Sequence, residues 1–324
     1  MKKIILDVDT GSDDAIAVIA AVLSKELNIL GITTVSGNQS VKDTTENTLR
    51  IMDVLNSDVP VYKGCSQPLV ANLLPDRHSS GRAPQSKIKG EEIITYHSKT
   101  FEFLPPSKRK AQDRAAVLWI VDTLMASDGD ITFIGVGPAT NLALAMRIEP
   151  QIKQKLRQII VMGGGYLLTN TTASSEFNVW EDPEAMQIVF TSGCDILLVP
   201  LDATHAGYIT TEENEVIKAI GTPHAMCVYE LLSQRIKAYD ALQPMQVSGS
   251  TPPHDALAVC AAIDEHVLRG VISRRVDVDF GGNIADGMTV LDQRIVACPP
   301  NLRIALDCDR EKFVTMLTNL LDVS

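Results

Sequence analysis

Ile4-Ile5-Leu6-Asp7-Val8-Asp9-Thr10-Gly11-Ser12-Asp13-Asp14-Ala15 is an apolar run that empties into acid. Residues 3–9 read as a buried strand, and alternation along a strand puts Asp7 and Asp9 on one face. Thr10-Gly11-Ser12 makes a tight turn. Ser12 is placed to cap the helix that follows, and Asp13 and Asp14 fall in its first turn, where the helix dipole favours negative charge. Four carboxylates at the exit of a core strand are costly unless something positive neutralises them. Open α/β sheets build their sites at the C-terminal ends of parallel strands. A hard divalent cation held by oxygen ligands is the simplest neutraliser.

Working outward, strand-like and helical patterns alternate. A helix is expected over 14–25, a strand over 28–35 ending in Ser36-Gly37-Asn38, a helix over 41–55 and a short strand over 59–62. From 64 to 110 the pattern dissolves into a Ser-, Pro- and Lys-rich stretch, read as a lid or binding loop with a short helix near 91–97. Order resumes with a helix over 113–126, a strand over 131–136, a Gly-Pro turn and a helix over 141–147. A strand over 158–162 then runs into Gly163-Gly164-Gly165. Further on come a helix over 183–190, a strand over 195–199, helices over 212–220 and 224–239, and a buried helix over 255–264. Two or three strands between 271 and 306 and a helix over 310–321 end the chain. Repeated βα units predict an α/β fold: one domain over 1–324 with a mostly parallel, doubly wound sheet and helices on both faces.

Composition narrows the function classes. With 324 residues, 45% of them hydrophobic, the chain can bury a large core. Lys+Arg 29 against Asp+Glu 40 gives −11, which disfavours nucleic acid or an anionic membrane as partner and suits cation binding. No apolar run approaches the ~20 residues of a membrane span. The apolar stretch after Met1-Lys2-Lys3 is broken by Asp7 and Asp9, so it does not read as a signal peptide. Six cysteines without a C-x-x-C pair are read as reduced thiols of a cytoplasmic protein.

Several chemistry-bearing segments follow strands: the acidic run itself, Asn38, Gly135-Val136-Gly137-Pro138, and the stretch from Met162 to Asn178. His254-Asp255 starts a helix after Thr251-Pro252-Pro253. Singly, most are bland. Asp13-Asp14 is an ordinary helix start, Gly163-Gly164-Gly165 a flexible turn without the Lys-Ser/Thr of a P-loop, Glu176-Phe177-Asn178 a surface strand, and His254 a solvated cap. Asp7 and Asp9 are harder to dismiss, because a core strand rarely carries two acids. The histidines at 78, 97, 205, 224 and 266 show no metal-ligand spacing.

In this order, Asp7-x-Asp9-x-Gly11-x-Asp13-Asp14, Val161-Met162-Gly163-Gly164-Gly165, Glu176-Phe177-Asn178 and His254-Asp255-Ala256 resemble the inosine–uridine-type nucleoside hydrolases, from residue 3 to beyond 260. The resemblance implies Ca2+-dependent hydrolysis of the N-glycosidic bond of ribonucleosides, leaning to pyrimidine nucleosides or inosine, in nucleoside salvage. The ion's ligands would be Asp9, Asp14, Asp255 and the Val136 carbonyl, with Asp7 supporting the loop from behind. Asp9 would be the general base toward the attacking water. Asp13 and Asn178 would grip the 2′-hydroxyl, Asn170 and Glu176 the 5′-hydroxyl, while Asn38 braces the ribose and Met162 lines the sugar pocket. His254 would be the acid for the leaving base, with Arg235 and Tyr239 facing the base from a helix over 222–242. The family's His-Gly-x-x-Gly-Leu loop finds only Arg77-His78-Ser79-Ser80-Gly81-Arg82-Ala83 here, so His78 becomes a base-pocket candidate on an altered loop. The resemblance also implies a homodimer or homotetramer.

Two other readings compete. Asp7-Val8-Asp9-Thr10 also fits the D-x-D-x-T of haloacid-dehalogenase-type phosphatases, with Asp7 as nucleophile and Mg2+ as metal. That reading leaves Asp13-Asp14 and His254-Asp255 unexplained. A non-catalytic nucleoside-binding protein on the same scaffold is the other, although every expected catalytic side chain is present.

Overall fold

β1 (Lys2–Val8) enters the interior at Ile4 and stays buried to its end. The turn after it leads into α1 (Ser12–Leu23), whose residues from Ser12 to Ala21 are all buried. A helix apolar on every side belongs inside the molecule. β2 (Leu27–Thr34), α2 (Val41–Val54) and β3 (Val61–Lys63) follow as expected. The computed structural model describes residues 1–74, 77–78, 82–90, 92–296 and 298–323. Within the 64–110 stretch, the helix expected near 91–97 is instead an antiparallel hairpin of β4 (Ser86–Lys89) and β5 (Glu92–Thr95), with Ile88 opposite Ile93. The β-branched run 93–95 prefers a pleat.

The central part alternates as read: α3 (Ala116–Met125), β6 (Ile131–Gly135), α4 (Thr140–Ile148) and β7 (Leu156–Met162). Glu176-Phe177-Asn178 is not a surface strand but the start of α5 (Phe177–Glu181), and α6 (Pro183–Phe190), β8 (Ile196–Val199) and α7 (Leu201–Ala206) come next. β9 (Ile209–Thr210), α8 (Thr211–Ile220), α9 (Pro223–Leu242), β10 (Ser250–Thr251) and α10 (His254–Ile263) complete the helical face. The end holds more short strands than expected. They are β11 (Leu268–Arg269), β12 (Ile272–Arg274), β13 (Val276–Val278), β14 (Thr289–Leu291), β15 (Leu302–Ile304) and β16 (Asp307–Cys308), before α11 (Arg310–Leu321). Strands of two or three residues carry too little periodicity to be recognised from sequence.

Eight strands form the main sheet in the order β12-β15-β8-β7-β6-β1-β2-β3, and only the β12–β15 pair is antiparallel. The single α/β domain is therefore built on a mostly parallel sheet. Alternation along β1 sends Ile4, Leu6 and Val8 to a core shared with α1, α9, α10 and α11, and Ile5 to a second core under α3, α4 and α6. From β1 the chain winds outward through β2 and β3, then returns to β6 on the other side. The crevice beyond the ends of β1 and β6 is thus the sheet's switch point, where a doubly wound fold leaves room for a ligand. No helix among the described residues is long and apolar enough to cross a membrane.

Candidate active site

Two helix starts and two strand ends converge on this crevice. Asp9 leaves β1, Val136 leaves β6, Asp13 and Asp14 open α1, and Asp255 opens α10. The helix dipoles at both starts ease the burial of negative charge. Ser12 does not cap α1. The Asp14 carboxylate reaches back instead, accepting from Asp9 N and Gly11 N at 2.9 Å each and from Asn38 Nδ2 at 3.1 Å. Asp9 Oδ2 accepts from Asn38 N at 2.7 Å, while its Oδ1 is buried without a hydrogen-bond partner. Gly37 and Gly137 let the backbone close on Asp9: a Cβ at either would lie 2.2 Å from Oδ2 or 2.7 Å from Oδ1.

Asp13, Asp14 and Asp255 each offer a carboxylate oxygen within 4.8 Å of the others. Burial first, and repulsion by neighbouring carboxylates second, push Asp9 and Asp255 well above the usual carboxylate range and Asp14 to about 6. A divalent cation would reverse that cost, and an orphaned carboxylate oxygen among buried carboxylates is a donor set it fits. Asp7 stands behind the site, accepting from Thr33 Oγ1 and from Asn141 Nδ2 at 2.8 Å, while its own carbonyl takes Val136 N at 2.9 Å. Buried and occupied in this way, Asp7 is no nucleophile for a phosphoryl group.

The sugar-side residues share one cavity with Asp13 and Asp255: Asn38, Met162, Asn170, Glu176 and Asn178 all line it. Asn178 Nδ2 donates to the Val136 carbonyl at 2.8 Å and the Met162 carbonyl at 3.2 Å, tying two strand ends together. Glu176 caps α5, accepting from Asn178 N and Val179 N, and also takes Gly164 N at 2.8 Å. Asn170 Oδ1 accepts from Phe177 N at 3.0 Å.

The other wall carries His254, Tyr239, Arg235, Tyr96 and His97. His254 is held at both ring nitrogens, Nδ1 to Thr204 Oγ1 at 2.6 Å and Nε2 to the Tyr239 hydroxyl at 2.7 Å. Burial, followed by His205, Arg235 and His97 nearby, drives its imidazole well below the ordinary value, so it rests neutral. Arg235 and Tyr239 do face the cavity from α9. The Arg235 guanidinium, however, is engaged by Asp13, Ser12 and Pro252.

Of the three base-pocket candidates, Arg235 and Tyr239 line the cavity and His78 does not, while Asp9 and Asp14 lie behind its lining. The His78 ring stacks on Trp180 at 3.7 Å between centroids and lies 3.6 Å from Asp286. The histidine this segment brings to the site is His97, which was given no role from sequence. Its Nδ1 accepts from Ser12 N at 3.2 Å and lies 3.7 Å from Asp13. Burial lowers its pKa to about 4. The signal was present as Ile93-Ile94-Thr95-Tyr96-His97, a strand delivering a histidine at its end, but the helix expected there concealed it.

Fold and pocket define an α/β enzyme with an acidic, oxygen-only centre at the switch point of its sheet. The family model described as inosine-uridine preferring nucleoside hydrolase matches residues 4–315. The pyrimidine-specific ribonucleoside hydrolase RihB of Escherichia coli (strain SE11) is 35% identical over 313 residues, 96% of this chain and 94% of that one. Among solved structures, a purine-preferring ribonucleoside hydrolase from Gardnerella vaginalis is similar with TM-score 0.85 at 29% identity, covering 100% of both chains. The plant nucleoside hydrolase PpNRh1 is similar with TM-score 0.85 at 27% identity, covering 100% of this chain and 99% of that one. The chain belongs to the inosine-uridine preferring nucleoside hydrolase family and is an N-ribohydrolase.

Proposed function

We propose that this enzyme is a Ca2+-dependent hydrolase of ribonucleosides that prefers pyrimidine bases, accepts inosine, and releases ribose and free base for salvage. The observation that carries the reading is the pair of orphaned oxygens, Asp9 Oδ1 and Asp13 Oδ1, buried with Asp14 and Asp255 and with no protein donor to satisfy them. Carboxylates with no nitrogen or sulfur suit a hard ion of flexible geometry, which favours Ca2+. Bound there, the ion would supply positive charge that orders substrate oxygens and eases deprotonation of water.

The rest of the chemistry falls to the side chains. Asp9 would take the proton of the attacking water. Asp13 and Asn178 would hold the 2′-hydroxyl, and Glu176 with Asn170 the 5′-hydroxyl. Breaking the N-glycosidic bond builds positive charge on the ribosyl ring, and a pocket dense in carboxylate and amide oxygens stabilises that charge as it develops. On the leaving side, the Tyr239 hydroxyl, oriented by His254 Nε2, would hydrogen-bond the departing base, which takes its proton from solvent. The pyrimidine preference leans on the likeness to the pyrimidine-specific RihB.

The test is release of free base from uridine, cytidine, inosine and adenosine, before and after chelation and Ca2+ restoration, beside Asp9→Ala. Uridine and cytidine are expected to lead, chelation to abolish turnover until Ca2+ is restored, and Asp9→Ala to lose about a thousandfold in kcat. No base released from any nucleoside overturns the reading, and adenosine ahead of uridine overturns the preference.

A further inference from the structure

The chemistry above gives no part to a guanidinium, yet one is buried in the acidic pocket. Arg235 is 1% exposed. Its Nη1 donates to Ser12 Oγ at 3.0 Å and Nη2 to the Pro252 carbonyl at 2.8 Å. Nη1 also lies 3.0 Å from Asp13 Oδ1, an ion pair that leaves this oxygen without a hydrogen bond and open to a substrate hydroxyl. Ser12 and Asp13 open α1, and Pro252 lies just ahead of α10. The side chain therefore spans the two helix starts that carry the acidic centre.

Asp13 has reason to be tethered. Its carboxylate lies within 4.8 Å of ligand atoms on Asp14 and Asp255, close enough for one cation to gather all three. A carboxylate oxygen drawn onto an ion is lost as an acceptor for a sugar hydroxyl. Arginine suits the task because its charge is permanent and its planar fork serves several partners at fixed angles.

The geometry points to Arg235 as a positioning residue that keeps Asp13 out of the ion's ligand set and available to the substrate's 2′-hydroxyl, so that discrimination between ribose and 2-deoxyribose depends on it. This rests on the ribonucleoside reading. Arg235 Nε is buried without a hydrogen-bond partner, so direct contact with the base is the rival role.

Uridine, 2′-deoxyuridine and inosine are assayed with wild type, Arg235→Gln, Arg235→Lys, Asp13→Asn and the Arg235→Gln/Asp13→Asn double variant, and Ca2+ binding to each is measured by calorimetry. Arg235→Gln is expected to lower kcat/KM on uridine roughly ten- to a hundredfold and to change 2′-deoxyuridine little, collapsing the ratio. In the Asp13→Asn background the same substitution should add little. Ca2+ should bind Arg235→Gln more tightly, and the gain should shrink when Asp13 is Asn. If Arg235→Gln does not fold, Arg235→Lys keeps the charge without the fork and should show a milder collapse. If 2′-deoxyuridine turnover is undetectable, competitive inhibition by ribose and 2-deoxyribose reads the same ratio. Equal losses on both sugars, or a changed uridine-to-inosine ratio with the sugar ratio intact, overturns the inference. A wild type inert on every nucleoside fails the functional reading instead. The Ca2+ cycle then decides alone, and additive effects of the two substitutions reject the coupling.

Discussion

Glu176 shows how one side chain serves both fold and site. Its carboxylate receives Gly164 N, Asn178 N and Val179 N, which shapes the Gly-rich turn after β7 and starts α5 with Asn178 in place. Burial pushes its pKa up to about 7 against those same amides. An unfolded glutamate titrates near ~4.3. The folded protein therefore keeps a proton that the unfolded chain has already lost, and the stability this contributes is complete below the unfolded pKa and gone once pH has risen through about 7. Melting curves of ion-free wild type and Glu176→Gln should thus differ most in the wild type's favour near pH 4, with the gap narrowing toward pH 7.5. A gap constant across that range contradicts the raised pKa. Of the site residues, those beside a turn or helix start were recognisable from sequence, because carboxylates at such places have a local physical rationale. His97 had none, and Arg235, placed toward the base by resemblance alone, meets Asp13 only across the fold.

At the scale of elements, the segment over 64–110 is less free than its composition suggests. Arg77 places its fork on both oxygens of Asp286 at 2.7 Å and also binds Glu184, joining the segment to α6 and to the turn between β13 and β14. Arg82 lies over the rings of Phe177 and Trp180 on α5. The Arg77 side chain is 3% exposed, so Arg77→Ala would strand two carboxylates in a mostly buried place. A loss of about 3–5 kcal/mol is expected, read as a lower urea midpoint and faster proteolysis within 64–110. An unchanged midpoint would mean the pairs contribute nothing net. Sequence periodicity identified the longer strands and the helices well, since a strand's alternation repeats every two residues and a helix's every three to four. It misread the hairpin of β4 and β5 and the short strands near the end, where pairing with a distant partner, not local pattern, creates the element.

For the whole molecule, the sheet's switch point brings charges together that no single element could hold. Asp9, Asp14 and Asp255 are ionised only at a cost in the ion-free protein, so a ligand cation should bind the folded chain far better than the unfolded one. Ca2+ at a hundred times its Kd is expected to add about 2.7 kcal/mol of stability, raising the melting temperature by several degrees, and a chelator should reverse the rise. No shift at any Ca2+ concentration would remove the ion from this site. The sequence by itself determined the α/β class, the parallel winding and the acidic exit of β1, because strand alternation, helix periodicity and turn chemistry act between near neighbours. Only the tertiary structure decided which carboxylates cluster, that His97 rather than His78 reaches the cavity, and that Arg235 meets Ser12, 223 positions away, beside Asp13. Those contacts are made by packing helices onto the open sheet, and nothing in local periodicity encodes which distant side chains that packing brings within a hydrogen bond of one another.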